Sequence, residues 1–164
     1  MTRKTKLYLS IFISFLIAAL LATIPLPKFL HWIWPQWLVL VMIFWILNFP
    51  NQVGFGMAFG TGLLLDALSG SMLGEHGFAL VIIAYFLLRF NNKLTFSRAS
   101  ARTLIVFILI LLYLALLCWI HGIIKNLPST PSYWLSSVTS AFVWPPLTIL
   151  LSKYAKQYKS GFNV

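Results

Sequence analysis

The chain has 164 residues, of which 60% are hydrophobic and only 9% charged, with a formal net charge of +10. A soluble domain of this length fills its core with far less apolar surface, so the excess must face lipid. The cations stand in small groups between long uncharged runs rather than along one continuous basic face, which speaks for membrane topology and against nucleic acid as a partner.

Residues 7–24 form an uncharged run behind Arg3, Lys4 and Lys6 and ahead of Pro25 and Pro27, the pattern of a retained span with a basic flank. A cleavable signal peptide has a shorter apolar core, about 7 to 15 residues, and a small-residue cleavage site that Ala22-Thr23-Ile24-Pro25 does not supply. Further spans are expected at 32–49, 53–68, 72–88, 104–124 and 133–151. About 20 apolar residues cross a bilayer, so the third and fourth are short. They read equally as two crossings or as one re-entrant hairpin, and the charge pattern is the same in both cases. No fixed-period repeat, low-complexity tract or linker interrupts the chain, which is therefore expected to be one integral membrane domain, 1–164.

An even number of crossings puts ten of the twelve Lys and Arg residues on the side of both termini, and leaves Lys28 and Lys125 on the other. The positive-inside rule then makes both termini cytoplasmic, with Arg89, Lys93, Arg98 and Arg102 in a cytoplasmic loop. Trp32, Trp34, Trp37, Trp134, Trp144 and Tyr133 are expected near the outer ends as an aromatic belt. Cys118, alone of its kind, lies in an apolar run and reads as a packing residue.

The third span carries the chemistry that hydrophobic filler lacks. At about 100 degrees per residue, Gly56, Gly60, Gly62 and Asp66, with Gly70 and Gly74 if the helix continues, share a face of about 160 degrees. Such a small-residue stripe is expected to pack inward against another helix, Gly56 and Gly60 forming a small-xxx-small pair. Asp66 falls on that face, and a carboxylate at membrane depth must be paired, hydrogen-bonded or wet. Either it contacts a ligand or partner, or it caps backbone N–H groups of the turn formed by Ser69, Gly70 and Ser71. In the second case asparagine should replace it well. Glu75 reads as a solvated loop charge.

His31, His76 and His121 fall on the outer side, but their spacing matches no ligand motif, so no metal and no cofactor is expected. The serines of the turn form no nucleophile motif with an orienting acid. Late in the chain, Trp144-Pro145-Pro146 should bend or interrupt the last span, because two N–H donors are missing. Beyond it, Lys153, Lys156 and Lys159 would share one face of a short interfacial helix opposite Tyr154 and Tyr158.

Several segments carry a family likeness in the right order. They are Pro35-Gln36-Trp37-Leu38 opening the second span, Trp45-Ile46-Leu47 closing it, and Gly62 through Asp66 leading into Leu68-Ser69-Gly70-Ser71-Met72-Leu73-Gly74. Ile82-Ile83-Ala84-Tyr85 and Trp144-Pro145 complete the set. With its length and basic ends, the chain resembles the rod shape-determining protein MreD family in its short proteobacterial form. Glu75 and the histidines stand outside that pattern. The resemblance implies an all-α polytopic protein of about six transmembrane helices, itself similar to the substrate-binding subunits of energy-coupling-factor transporters.

It also implies a non-enzymatic inner-membrane subunit of the machinery that builds lateral peptidoglycan. Such a subunit would bind the single-span protein MreC and connect through it to MreB filaments, the RodA glycosyltransferase and its penicillin-binding transpeptidase. With Gly60 from the small-residue stripe, the residues expected to form the partner or structural motif are Pro35, Trp37, Gly60, Gly62, Asp66, Ser69, Gly70, Gly74, Trp144 and Pro145. A different class stays open on the residues alone: a small-molecule-binding or transport subunit with a pocket at the glycine-rich third span. An intramembrane enzyme finds the least support. The lack of a second acid within a span, which a proton relay would need, favours the scaffold.

Overall fold

The computed structural model describes residues 3–25, 27, 33–95, 98–123 and 131–159, and their regular structure is all helical. Six α-helices follow in order: α1 (Arg3–Ala22), α2 (Trp37–Asn48), α3 (Phe55–Ser69), α4 (Glu75–Thr95), α5 (Ala99–Ile123) and α6 (Leu135–Lys159), the last entered through a 3-10 turn, Pro131–Trp134. Three of the helices, over Thr5–Ala22, Ala99–Ile123 and Leu135–Ala155, are long and apolar enough to cross a membrane. The protein is a membrane protein.

The centre is α2. Every residue from Leu38 to Ile46 is buried, as expected of a helix that is apolar on all sides. Its 12 residues span about 18 Å, short of about 30 Å of hydrocarbon, and its neighbours α1, α3, α4 and α6 supply the rest of the thickness. It begins at Trp37 rather than at 32: Ile33 to Gln36 are not helical, and the Gln36 N–H is held by Ser140 Oγ of α6 at 3.0 Å. Trp34 Nε1 donates to the carbonyl of Leu21 at 2.9 Å, fastening this approach to the end of α1.

On α1 the buried residues Leu7, Ile11, Ser14 and Ala18 make one stripe, while Phe12, Leu16 and Leu20 point away from the protein. Lipid supplies the solvent for that outer face. Inside, Ser14 Oγ donates to the carbonyl of Ile11 and accepts Trp45 Nε1 at 2.8 Å, so a buried polar pair joins α1 to α2 with its hydrogen bonds made internally.

Three expectations about the helices change. The fourth helix runs on to Thr95 and the fifth starts at Ala99, because polar and charged residues such as Arg89 and Arg102 sustain a helix as well as apolar ones do. The last helix is not interrupted at Trp144-Pro145-Pro146: α6 is continuous from Leu135 to Lys159, and the lysines expected in a separate interfacial helix belong to its final turns. Tyr158 near that end shares a hydrogen bond with Ser10 of α1 at 3.2 Å, which holds the last turns against the bundle. Trp144 is buried, not part of an outer belt. His31 and Trp32 lie outside the described residues.

Candidate functional site

The α3–α4 hairpin is built around Asp66. Its buried face is Ala58, Thr61, Gly62 and Asp66, a spacing of three and four residues that selects one side of a helix. Gly56 and Gly60 are not on it. Both are exposed, and a Cβ added at either meets nothing within 4 Å, so the expected inward packing of Gly60 is corrected. Gly62 alone makes the close approach: a Cβ there would lie 2.2 Å from Gly77 Cα, and the two backbones touch.

One turn on, the Asp66 carboxylate is 1% exposed and accepts four hydrogen bonds. Gly74 N–H donates to Oδ2 at 2.7 Å, while Oδ1 takes His76 N–H at 3.0 Å, Ser71 Oγ at 3.0 Å and His76 Nδ1 at 2.7 Å. A carboxylate only accepts, so the last contact places the histidine proton on Nδ1. Two of the donors are the backbone N–H groups of Gly74, just before α4, and of His76 in its first turn, where unpaired N–H groups and the helix dipole favour an anion. Asp66 of α3 is thus the cap of α4.

Its main chain closes α3 as well. Ser71 N–H bonds to the Asp66 carbonyl at 3.2 Å across Gly70, which has φ of 65° in the left-handed region, a Schellman-type ending that suits glycine. Gly74, at φ 98°, makes the second reversal. Ser69 Oγ donates back to the Leu65 carbonyl at 2.7 Å and lies 3.1 Å from Ser71 Oγ. One of the two readings of the sequence had Asp66 capping the backbone N–H groups of Ser69, Gly70 and Ser71. Its carboxylate takes only the Ser71 hydroxyl from that turn, and the backbone N–H groups that it caps are those of Gly74 and His76.

Ser71, His76 and Asp66 do not form a catalytic triad. Both Ser71 Oγ, at 3.2 Å, and Asp66 Oδ1 meet the same ring nitrogen, Nδ1, whereas proton relay from a nucleophile requires opposite nitrogens. The cluster holds shape.

One further expectation falls here. Glu75 is buried, not solvated, with Oε1 at 2.8 Å from His121 Nε2 of α5, and His76 is a partner of Asp66. Asp66–His76 ties α3 to α4, and Glu75–His121 ties α4 to α5, with the Tyr113 ring 6.1 Å from that of His76. A signal for these pairs lies in the sequence: the two acids of the chain and two of its three histidines fall near helix ends that one bundle end brings together. A second buried acid also removes the contrast with a proton relay drawn from the sequence. Among the described residues no group of three His, Cys, Asp or Glu side chains could hold a metal ion.

Of the remaining motif residues, Pro35 accepts from Trp37 N–H at 2.9 Å, and Trp37 packs edge-on to Trp34 at 6.0 Å. Trp144 and Pro145 line a cleft with Arg102, at the end of α5 away from His121. The motif residues therefore form three places in the fold: the Asp66 hairpin, the entry to α2, and that cleft.

Comparisons with known proteins agree on one family. The family model described as rod shape-determining protein MreD matches residues 3–154. A protein of Haemophilus influenzae named Rod shape-determining protein MreD is 31% identical over 162 residues, covering 96% of this chain and 98% of the relative. No solved structure matches.

Proposed function

Since the chain belongs to the MreD family of rod shape-determining proteins, with a role in determining rod shape, we propose that it acts there as a non-enzymatic scaffold in the inner membrane. The observation that carries this reading is the state of Asp66: both carboxylate oxygens face internal donors, and the acid is used to fix one hairpin. A transport or ligand-binding subunit with its pocket at the third span would need that acid for its cargo.

In this reading the single domain crosses six times with both termini in the cytoplasm. The 21 residues of α4 reach about 31 Å, close to the thickness of the hydrocarbon, and the 15 residues of α3 pack alongside it, so in this reading the two cross as a pair. The Asp66 hairpin lies at the outer surface and Arg98 and Arg102 at the inner one. The partner is an MreC-type single-span protein, through which the subunit connects to MreB filaments, the RodA glycosyltransferase and its penicillin-binding transpeptidase. Its span packs on the outward face of α3, where Gly56 and Gly60 are open to close approach beside the exposed Phe59.

Co-purification of the MreC-type protein tests this. Gly60→Leu should leave the isolated subunit folded and lower recovery of the partner, with rounding of rod-shaped cells. Full recovery of partner and normal shape with both Gly56→Leu and Gly60→Leu would show that this face meets lipid alone. Failure of every variant to affect shape, including deletion of the chain, would overturn the scaffold reading itself.

A further inference from the structure

The cleft beside Trp144 has a volume of about 570 Å³, within the range of small-ligand sites. Its lining is layered. Arg102, Ser100 and Ser152 stand at the end of the bundle, and Phe44, Trp144 and Ile149 continue the wall toward the middle of the helices. Ile149 is 64% exposed, so this wall opens sideways where acyl chains run.

Among the described residues, the charged side chains at this end are cations. Arg98 and Lys153 are exposed near the mouth, and the only acidic side chains of the chain, Asp66 and Glu75, both stand against histidines at the other end. A cleft with a cationic, hydroxyl-bearing mouth and an apolar side wall matches an amphiphile whose head is an anion.

We propose that this cleft is a binding site for one anionic phospholipid of the bilayer, with its phosphate at Arg102, Ser100 and Ser152 and an acyl chain along Phe44, Trp144 and Ile149. The assignment rests on the proposed sidedness, which puts this end at the anionic cytoplasmic leaflet. A free phosphate would leave the apolar wall without a role.

Native mass spectrometry of the detergent-purified full chain, titrated with phosphatidylglycerol, phosphatidylcholine or inorganic phosphate, tests the site. Phosphatidylglycerol should be retained in preference to phosphatidylcholine, and Arg102→Gln should weaken it about fivefold, the effect of one cation near a lipid surface. Lys6→Gln removes the same charge from the exposed start of α1 and should change nothing. Ser100→Trp keeps every charge but fills the mouth, and should abolish retention with an unchanged melting temperature. Equal retention of the two lipids, equal effects of Arg102→Gln and Lys6→Gln, undiminished binding to Ser100→Trp, or phosphate binding as tight as the lipid would each overturn the proposal. Sidedness is read separately, by labelling a cysteine at position 98 in intact cells. External labelling there would refute the topology and leave the detergent result standing.

Discussion

Replacing Gly62 by alanine adds one methyl group where two helices meet backbone to backbone. The new Cβ would stand 2.2 Å from Gly77 Cα and 2.3 Å from Gly77 N, against an ordinary contact of 3.4 Å or more. Neither neighbour is a side chain that rotates away, so α3 and α4 must part by more than about 1 Å, an overpacking cost of about 1–3 kcal/mol. The same movement pulls Asp66 from the start of α4, where its bonds to Gly74 and His76 N–H are 2.7 and 3.0 Å long. A hydrogen bond to a charged group contributes about 1.5–3 kcal/mol, so weakening two of them brings the expected loss to about 3 kcal/mol or more. At about 2–4 °C per kcal/mol for a chain of this size, the melting temperature in detergent should fall by roughly 10 °C. Gly60→Ala is the internal control. Its Cβ meets nothing within 4 Å, so its melting temperature should stay within about 2 °C of the parent. Equal melting of the two variants would refute the assignment of Gly62 as the contact point.

The geometry around Asp66 orders its substitutions. Because both oxygens accept, Asp66→Asn turns an amide donor toward one set of donors and is intermediate in recovery of the MreC-type partner and in cell shape, while Asp66→Ala, which leaves every donor unpaired, is the most damaging. An asparagine variant indistinguishable from the parent would show that one oxygen suffices. His121→Leu strands the buried Glu75 carboxylate and should lower thermal stability by about 1–3 kcal/mol, which adding Glu75→Gln should largely restore. Lack of rescue would mean that His121 acts by packing. Single cysteines introduced at positions 71 and 98 should label from outside and from inside respectively; the reverse pattern would invert the topology.

The sequence by itself determined the helices, because their signals are local. Uncharged runs of about 20 residues, basic flanks and proline punctuation need no knowledge of neighbours, and the six observed helices overlap the six expected spans. The importance of Asp66 was legible for the same reason, since an acid in an apolar helix demands a partner wherever it lies. What the sequence did not determine was who that partner is.

The helical wheel grouped Gly56, Gly60 and Gly62 on one broad face, but only contact with α4 shows that the packed edge runs through Ala58, Thr61 and Gly62 and leaves the other two glycines outside. His76 and Glu75 read as turn residues until the hairpin folds back. Then Gly70 and Gly74 reverse the chain, the first N–H groups of α4 point at Asp66, and the end of α5 brings His121 to Glu75. Side-chain partnerships across helix ends depend on how those ends converge, and convergence is set by packing in three dimensions, not by periodicity along one helix.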